Sequence, residues 1–197
     1  MPPSKIFPEQ NGGLPHYLLS QLVRRGFAAK AISYGPACMG FGFFMPEFRQ
    51  DFSLSSSSVG FISGLGFAGF FLGLIMAQFL LHRRSPEVPV LSGLTPATVG
   101  LLVVTTSPDV TVLADGVFLA AASAGFAWTA FNDAVHRKIR DVNRPTALSE
   151  ISTGTSVGIT LAGVAAFAMV VPGFQWRICW ALFAAASAVA FVAGNSQ

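Results

Sequence analysis

Charge is what this chain has least of. Asp, Glu, Lys and Arg together make up 11% of its 197 residues, whereas a soluble domain carries about 25%. That is too little to coat a water-facing surface, so an ordinary soluble domain is excluded. Cysteine is scarce as well. Cys38 and Cys179 both fall inside apolar runs and read as small core residues, with no disulfide framework or metal set. His16, His82 and His136 sit in separate segments, so no metal-binding His/Cys cluster forms along the chain. A phosphate-cradling G-x-x-x-x-G-K-[ST] loop is missing, which argues against ATP-driven work by this chain. The first 26 residues also lack the layout of a cleavable signal peptide, which needs a basic start and an apolar stretch of roughly 7–15 residues. No cofactor and no enzyme chemistry are expected.

What the chain does have is apolar length. Hydrophobic residues make up 52%, with 19 Phe and 20 Gly. After an N-terminal tail over 1–26, six stretches come near the roughly 20 residues that cross about 30 Å of hydrocarbon. They are 27–46, 59–81, 88–106, 109–131, 148–171 and 176–194, with 195–197 left as a C-terminal stub. Charge or turn chemistry separates them at "EFRQDFSLSSSS", "HRRSPE", "SPD", "NDAVHRKIRDVNRPTA" and "PGFQ". The expected fold class is therefore an all-α integral membrane protein with six transmembrane helices. Within the tail, "HYLLSQLVRR" reads either as a short interfacial amphipathic piece or as plain cytoplasmic chain.

Orientation follows from basic residues. With the N-terminus cytoplasmic, that side collects Lys5, Arg24, Arg25, Lys30, Arg83, Arg84, Arg137, Lys138, Arg140 and Arg144, and the far side keeps Arg49 and Arg177. An even number of spans returns the C-terminus to the cytoplasm. The expected location is the cell (inner or plasma) membrane, crossed several times.

Small residues recur every four positions. The second span has Gly60, Gly64 and Ala68 on one face and Gly69, Gly73 and Ala77 on a neighbouring one; the fifth has Gly154, Gly158 and Ala162. Such stripes let helix backbones approach closely. Two Gly-lined helices at positions two and five make the chain read as three spans plus three, an arrangement found in nested inverted repeats.

Four pieces in fixed order carry a resemblance. They are "MPEFRQDFSLSSSSVGFISGLGFAGFFLG", "AGFAWTAFNDAVHRKI", "RPTALSEISTGTSVG" and "QWRICW". With these pieces, residues 33–194 resemble the N-terminal six-helix half of a major facilitator superfamily transporter. The resemblance implies a gradient-driven carrier of a small solute that works by alternating access, with spans one and four lining a central cavity. The family's loop signature, roughly G-x-L-x-D-R-x-G-R-R, falls on "QFLLHRRSPE". Here Gln78 stands for the first Gly, Leu80 and Arg83 are kept, His82 replaces the Asp, Ser85 the second Gly, and Pro86-Glu87 the basic pair. His82, Arg83 and Arg84 are thus candidate gate-loop residues by resemblance. The bland reading makes Arg83 and Arg84 positive-inside anchors at a helix end.

Polar residues on spans one and four supply the cavity candidates: Tyr34, Asp115, Trp128, Asn132 and Asp133. Asp115 lies near the outer end of span four, as a cavity-lining group or as an interfacial one. An ionisable residue inside a span is a functional-site hypothesis by default. Tyr34 stands beside Gly35-Pro36, a pair suited to bending the helix. Trp128 at a membrane boundary is more often an anchor than a ligand. Asn132-Asp133 is placed to meet Arg83 or the 137–140 basic cluster. Lys30 is read as snorkelling to the headgroups. Arg177, beside Trp176 and Trp180, reads as an outer-interface anchor.

The expected partners are the lipid bilayer, an unidentified small solute, and a second half, supplied by a homodimer or a separately encoded chain. Nucleic acid is not among them. The alternative function is a truncated, non-transporting remnant or a membrane interaction subunit.

Overall fold

Helix caps and breakers in the sequence set the elements. The computed structural model describes residues 16–83, 87–139, 141, 143–170 and 175–195. Helix α1 (His16–Ile32) runs without a break into a π-helical stretch, Ser33–Met39, that contains Pro36, and then into α2 (Gly40–Phe43). Proline in a helix interior removes one N–H donor and crowds the preceding turn. The wider π-turn is one way a helix absorbs that defect, and such turns often mark functional sites. Segment 16–26, expected as a tail, is helical and continuous with the first apolar run.

The first expected connector also holds structure. Helix α3 (Met45–Phe52) has proline in its first turn and ends at Ser53, whose φ of 50° is left-handed. Helix α4 (Ser56–Arg83) starts where Ser55 Oγ accepts the Ser58 N–H at 3.1 Å. The serine run is therefore a cap, which satisfies donors that a helix start leaves open. Helix α5 spans Glu87–Thr106, and α6 (Val110–Lys138) is capped by Asp109, whose carboxylate accepts from Thr111 N and Val112 N at 2.9 and 3.0 Å. Helix α7 (Arg144–Phe167) passes into a 3-10 turn at Ala168–Val170, and α8 covers Trp176–Asn195. No strand occurs among the described residues.

Among the described residues, three helical stretches are long and apolar enough to cross a membrane, Ser56–Leu81, Val110–Arg137 and Trp176–Ala193, and Leu94–Thr106 is a shorter apolar one. The apolar stretch on α6 is 67% buried within the bundle, against 22% for α4 and 28% for α8. That contrast makes α6 the central helix. With 29 residues it is about 43 Å long at 1.5 Å per residue, longer than the hydrocarbon core.

Packing pairs follow the small residues. Helix α4 lies on α6, α1 and the π-stretch lie on α7, and α5 is held between α6 and α8. At the first crossing, a side chain on Gly69 would collide with the Phe118 carbonyl, and one on Gly73 with the Ala122 carbonyl. Among the described residues, two apolar clusters fill the interior. One gathers Phe41, Phe44, Phe48, Leu101, Trp176 and Trp180 at the α3 end. The other gathers Val23, Ala127, Phe131, Val135 and Ile151 toward the opposite end.

Candidate functional site

The π-stretch sets the site. It places Tyr34 against both neighbouring helices, with ring centroids 6.4 Å from Phe70 on α4 and 6.3 Å from Trp128 on α6. The Tyr34 hydroxyl is buried and has no hydrogen-bond partner. One turn before it, Lys30 puts its Nζ 4.8 Å from the centre of the Trp128 ring. Lys30 is only 2% exposed, so the snorkelling expectation is corrected: α1 extends back to His16, and the lysine lies well inside the helix, covered by α6. Apart from the Trp128 ring, no ion-pair or hydrogen-bond partner reaches the Lys30 ammonium among the described residues.

Magnitudes show why this matters. A lysine carried into hydrocarbon costs up to about 2.5–3.5 kcal/mol on insertion scales, the value at a span centre. A desolvated cation–π contact with Trp returns about 2 kcal/mol. The ring therefore offsets much of the cost, yet it supplies no counter-charge.

Trp128 is half exposed and borders an open groove between α4 and α6 with a volume of about 920 Å3. Phe71, Leu74, Ile75, Gln78 and Phe79 supply a largely apolar α4 wall, and Trp128, Thr129, Asn132 and Asp133 the α6 wall. The size falls within the range of small-ligand pockets. Asp133 meets the basic cluster, but on its own helix: Arg137 Nε lies 2.7 Å from Asp133 Oδ2, as an ion pair lacking hydrogen-bond alignment. Such an i,i+4 pair is worth about 0.3–0.5 kcal/mol, too little to act as a lock by itself. Arg144 folds the following loop back, donating to the Ile139 and His136 carbonyls at 2.8 and 2.6 Å and pairing with Asp141.

The structure thus gathers Tyr34 with Trp128, and Trp128 with Asn132 and Asp133, and leaves Asp115 apart. Asp115 is exposed near the start of α6, and the thirteen residues from there to Trp128 span about 20 Å of helix. His82 and Arg83 end α4, Arg84 lies outside the described residues, and no side chain of the three is described. Lys30 is the residue that sequence reasoning assigned to the headgroups and left out of the site. The signal was present in its i,i+4 spacing from Tyr34, but its burial depends on where α1 begins.

At the α3 end, Arg177 does more than anchor. Its guanidinium donates to the Thr105 and Ser107 carbonyls at 2.9 and 3.0 Å, capping α5, and stacks 4.3 Å from the Trp176 ring centre. Trp176 Nε1 donates to Asp51 at 2.7 Å, tying α8 to α3. No group of three His, Cys, Asp or Glu residues converges on a possible metal position among the described residues.

A helical bundle with membrane-length apolar helices and a groove with one polar wall beside a buried lysine belongs to the class of helical membrane proteins. The chain is a member of the Major Facilitator Superfamily, whose family model matches residues 28–194. Membership makes transport, rather than enzyme catalysis, its general business. No curated protein matches the chain.

Proposed function

We propose that the chain forms one six-span half of a secondary transporter and moves a small solute by alternating access, driven by a gradient. The six spans are arranged as three plus three, with both termini cytoplasmic in the cell membrane. A second half, from another copy or a separately encoded chain, completes the cavity. The observation that carries this reading is the groove of about 920 Å3 whose α6 wall is polar at Trp128, Thr129, Asn132 and Asp133. Polar residues are costly at membrane depth and gather where a solute or water passes. The exchanged packing gives further support, with the second apolar helix on the fourth and the first on the fifth.

The test is counterflow of a panel of small solutes into proteoliposomes, with the chain alone and with a co-expressed second half. At least one solute should accumulate, and Tyr34→Phe should slow its entry and Asn132→Leu abolish it while insertion and folding persist. A folded, inserted chain that moves nothing in either format would favour the non-transporting interaction subunit.

A further inference from the structure

We propose that Lys30 and Tyr34 form the recognition point for an anionic group, a carboxylate or phosphate carried by a soluble solute. The Trp128 ring covers the ammonium. The inference rests on the transporter reading of the groove and names the class of solute.

Three observations converge. Lys30 is 2% exposed, and its ammonium has the Trp128 ring as its one partner among the described residues. The Tyr34 hydroxyl, one turn further along the same helix, is buried without a partner. Trp128 separates both from the groove it lines. An ammonium offers three donors and no acceptor, and an unpartnered phenol offers a donor as well. Both groups therefore ask for an acceptor with negative charge, whose charge-assisted hydrogen bonds are roughly twice as strong as neutral ones. A lipid headgroup is disfavoured, because Lys30 is enclosed between helices rather than turned toward the bilayer.

Trp128 provides the probe. The chain has three tryptophans, so 5-fluorotryptophan labelling gives a simple 19F spectrum, with Trp128 assigned from Trp128→Phe. The 197-residue chain in phosphatidylcholine nanodiscs is titrated with inorganic phosphate, acetate and succinate, with glucose as the neutral control. At least one anion should move the Trp128 resonance saturably while those of Trp176 and Trp180 stay fixed. Affinity should fall about tenfold in Lys30→Met, the scale of one charge-assisted contact, fall less in Tyr34→Phe, and survive in Lys30→Arg. Unmoved Trp176 and Trp180 resonances certify that each variant is folded. The proposal is overturned if no anion gives a saturable shift, if Lys30→Met responds like the parent, or if only added phosphatidylglycerol moves the signal. Anion binding without flux would sustain this site and sink the transport reading. Flux of a neutral solute that survives Lys30→Met would do the reverse.

Discussion

Any side chain on Gly158 of α7 would run into the carbonyl oxygen of Ala31 on α1, so the two helices cross backbone against backbone. In a bilayer, where lipid is as apolar as leucine, close approach and dispersion replace the hydrophobic drive. Gly154 repeats the contact one turn away against the Phe27 carbonyl, and Gly35 in the π-stretch closes on the Gly158 backbone. This crossing fixes the height and rotation at which Lys30 and Tyr34 reach α6.

Gly158→Ala should therefore lower stability by about 1–3 kcal/mol, the usual cost of overpacking. Gly64→Ala should do the opposite: a methyl there meets nothing within 4 Å, and alanine gains up to about 1 kcal/mol of helix propensity over glycine. Unfolding in graded SDS, followed by circular dichroism, measures both. Equal losses in the two variants would contradict the assignment of the packed face.

Arg177→Met removes the donor that satisfies the Thr105 and Ser107 carbonyls. The expected loss is about 1.5–3 kcal/mol, the range for hydrogen bonds to a charged group. Arg177→Lys should recover only part of it, since one ammonium cannot reproduce the planar stack on Trp176. The same SDS titration reads the order parent, Lys, Met; identical midpoints would show that water replaces the cap.

Pro36→Ala restores an N–H in the π-stretch. If the wide turn relaxes to a regular helix, one residue of register is lost and everything beyond rotates by about 100°. Phe44, now 5.9 Å from Trp180 between ring centroids, would then leave it, and the Trp180 19F resonance should shift while helix content stays constant. An unchanged Trp180 signal would mean that the packing of Gly35 on Gly158, not proline, holds the π-turn.

Asp115→Asn should leave anion-induced shifts of Trp128 unaltered, because about 20 Å of helix separates the two residues on α6. Titration of the variant with the same anions checks it. A changed affinity would show that Asp115 acts on the site from the far end of the helix.

Asp109→Ala should cost about 1 kcal/mol, the typical value of an N-cap, since its carboxylate holds the Thr111 and Val112 amides. Thermal unfolding in detergent is sufficient to detect it, and Asp109→Asn should restore most of the loss.

Much of this was legible in the chain itself. Scarce charge and long apolar runs required a membrane, "SPD" marked the start of α6, and the four ordered pieces carried the family. "EFRQDFSLSSSS" was misleading as a plain connector, because Phe48 is fully buried and holds α3 against Trp176 at a ring distance of 4.8 Å. Short amphipathic helices at a bundle end leave only a weak trace when flanked by longer apolar runs. Tyr34, Trp128, Asn132 and Asp133 could be chosen as polar residues on two expected cavity helices. Their neighbourhood could not, since it depends on helix rotation.

By itself, the sequence determined that these helices belong in lipid and that small residues stripe two of them. It offered two stripes on α4 with equal merit, Gly60-Gly64-Ala68 and Gly69-Gly73-Ala77. Only the tertiary structure decided that the second packs on α6 while the first faces open space. The physical reason is that a helix apolar all round has no preferred face in a bilayer, so its rotation is set by the shape of its neighbours. The rotation of α1, fixed in the same way by glycines on α7, is what turned Lys30 inward beneath Trp128.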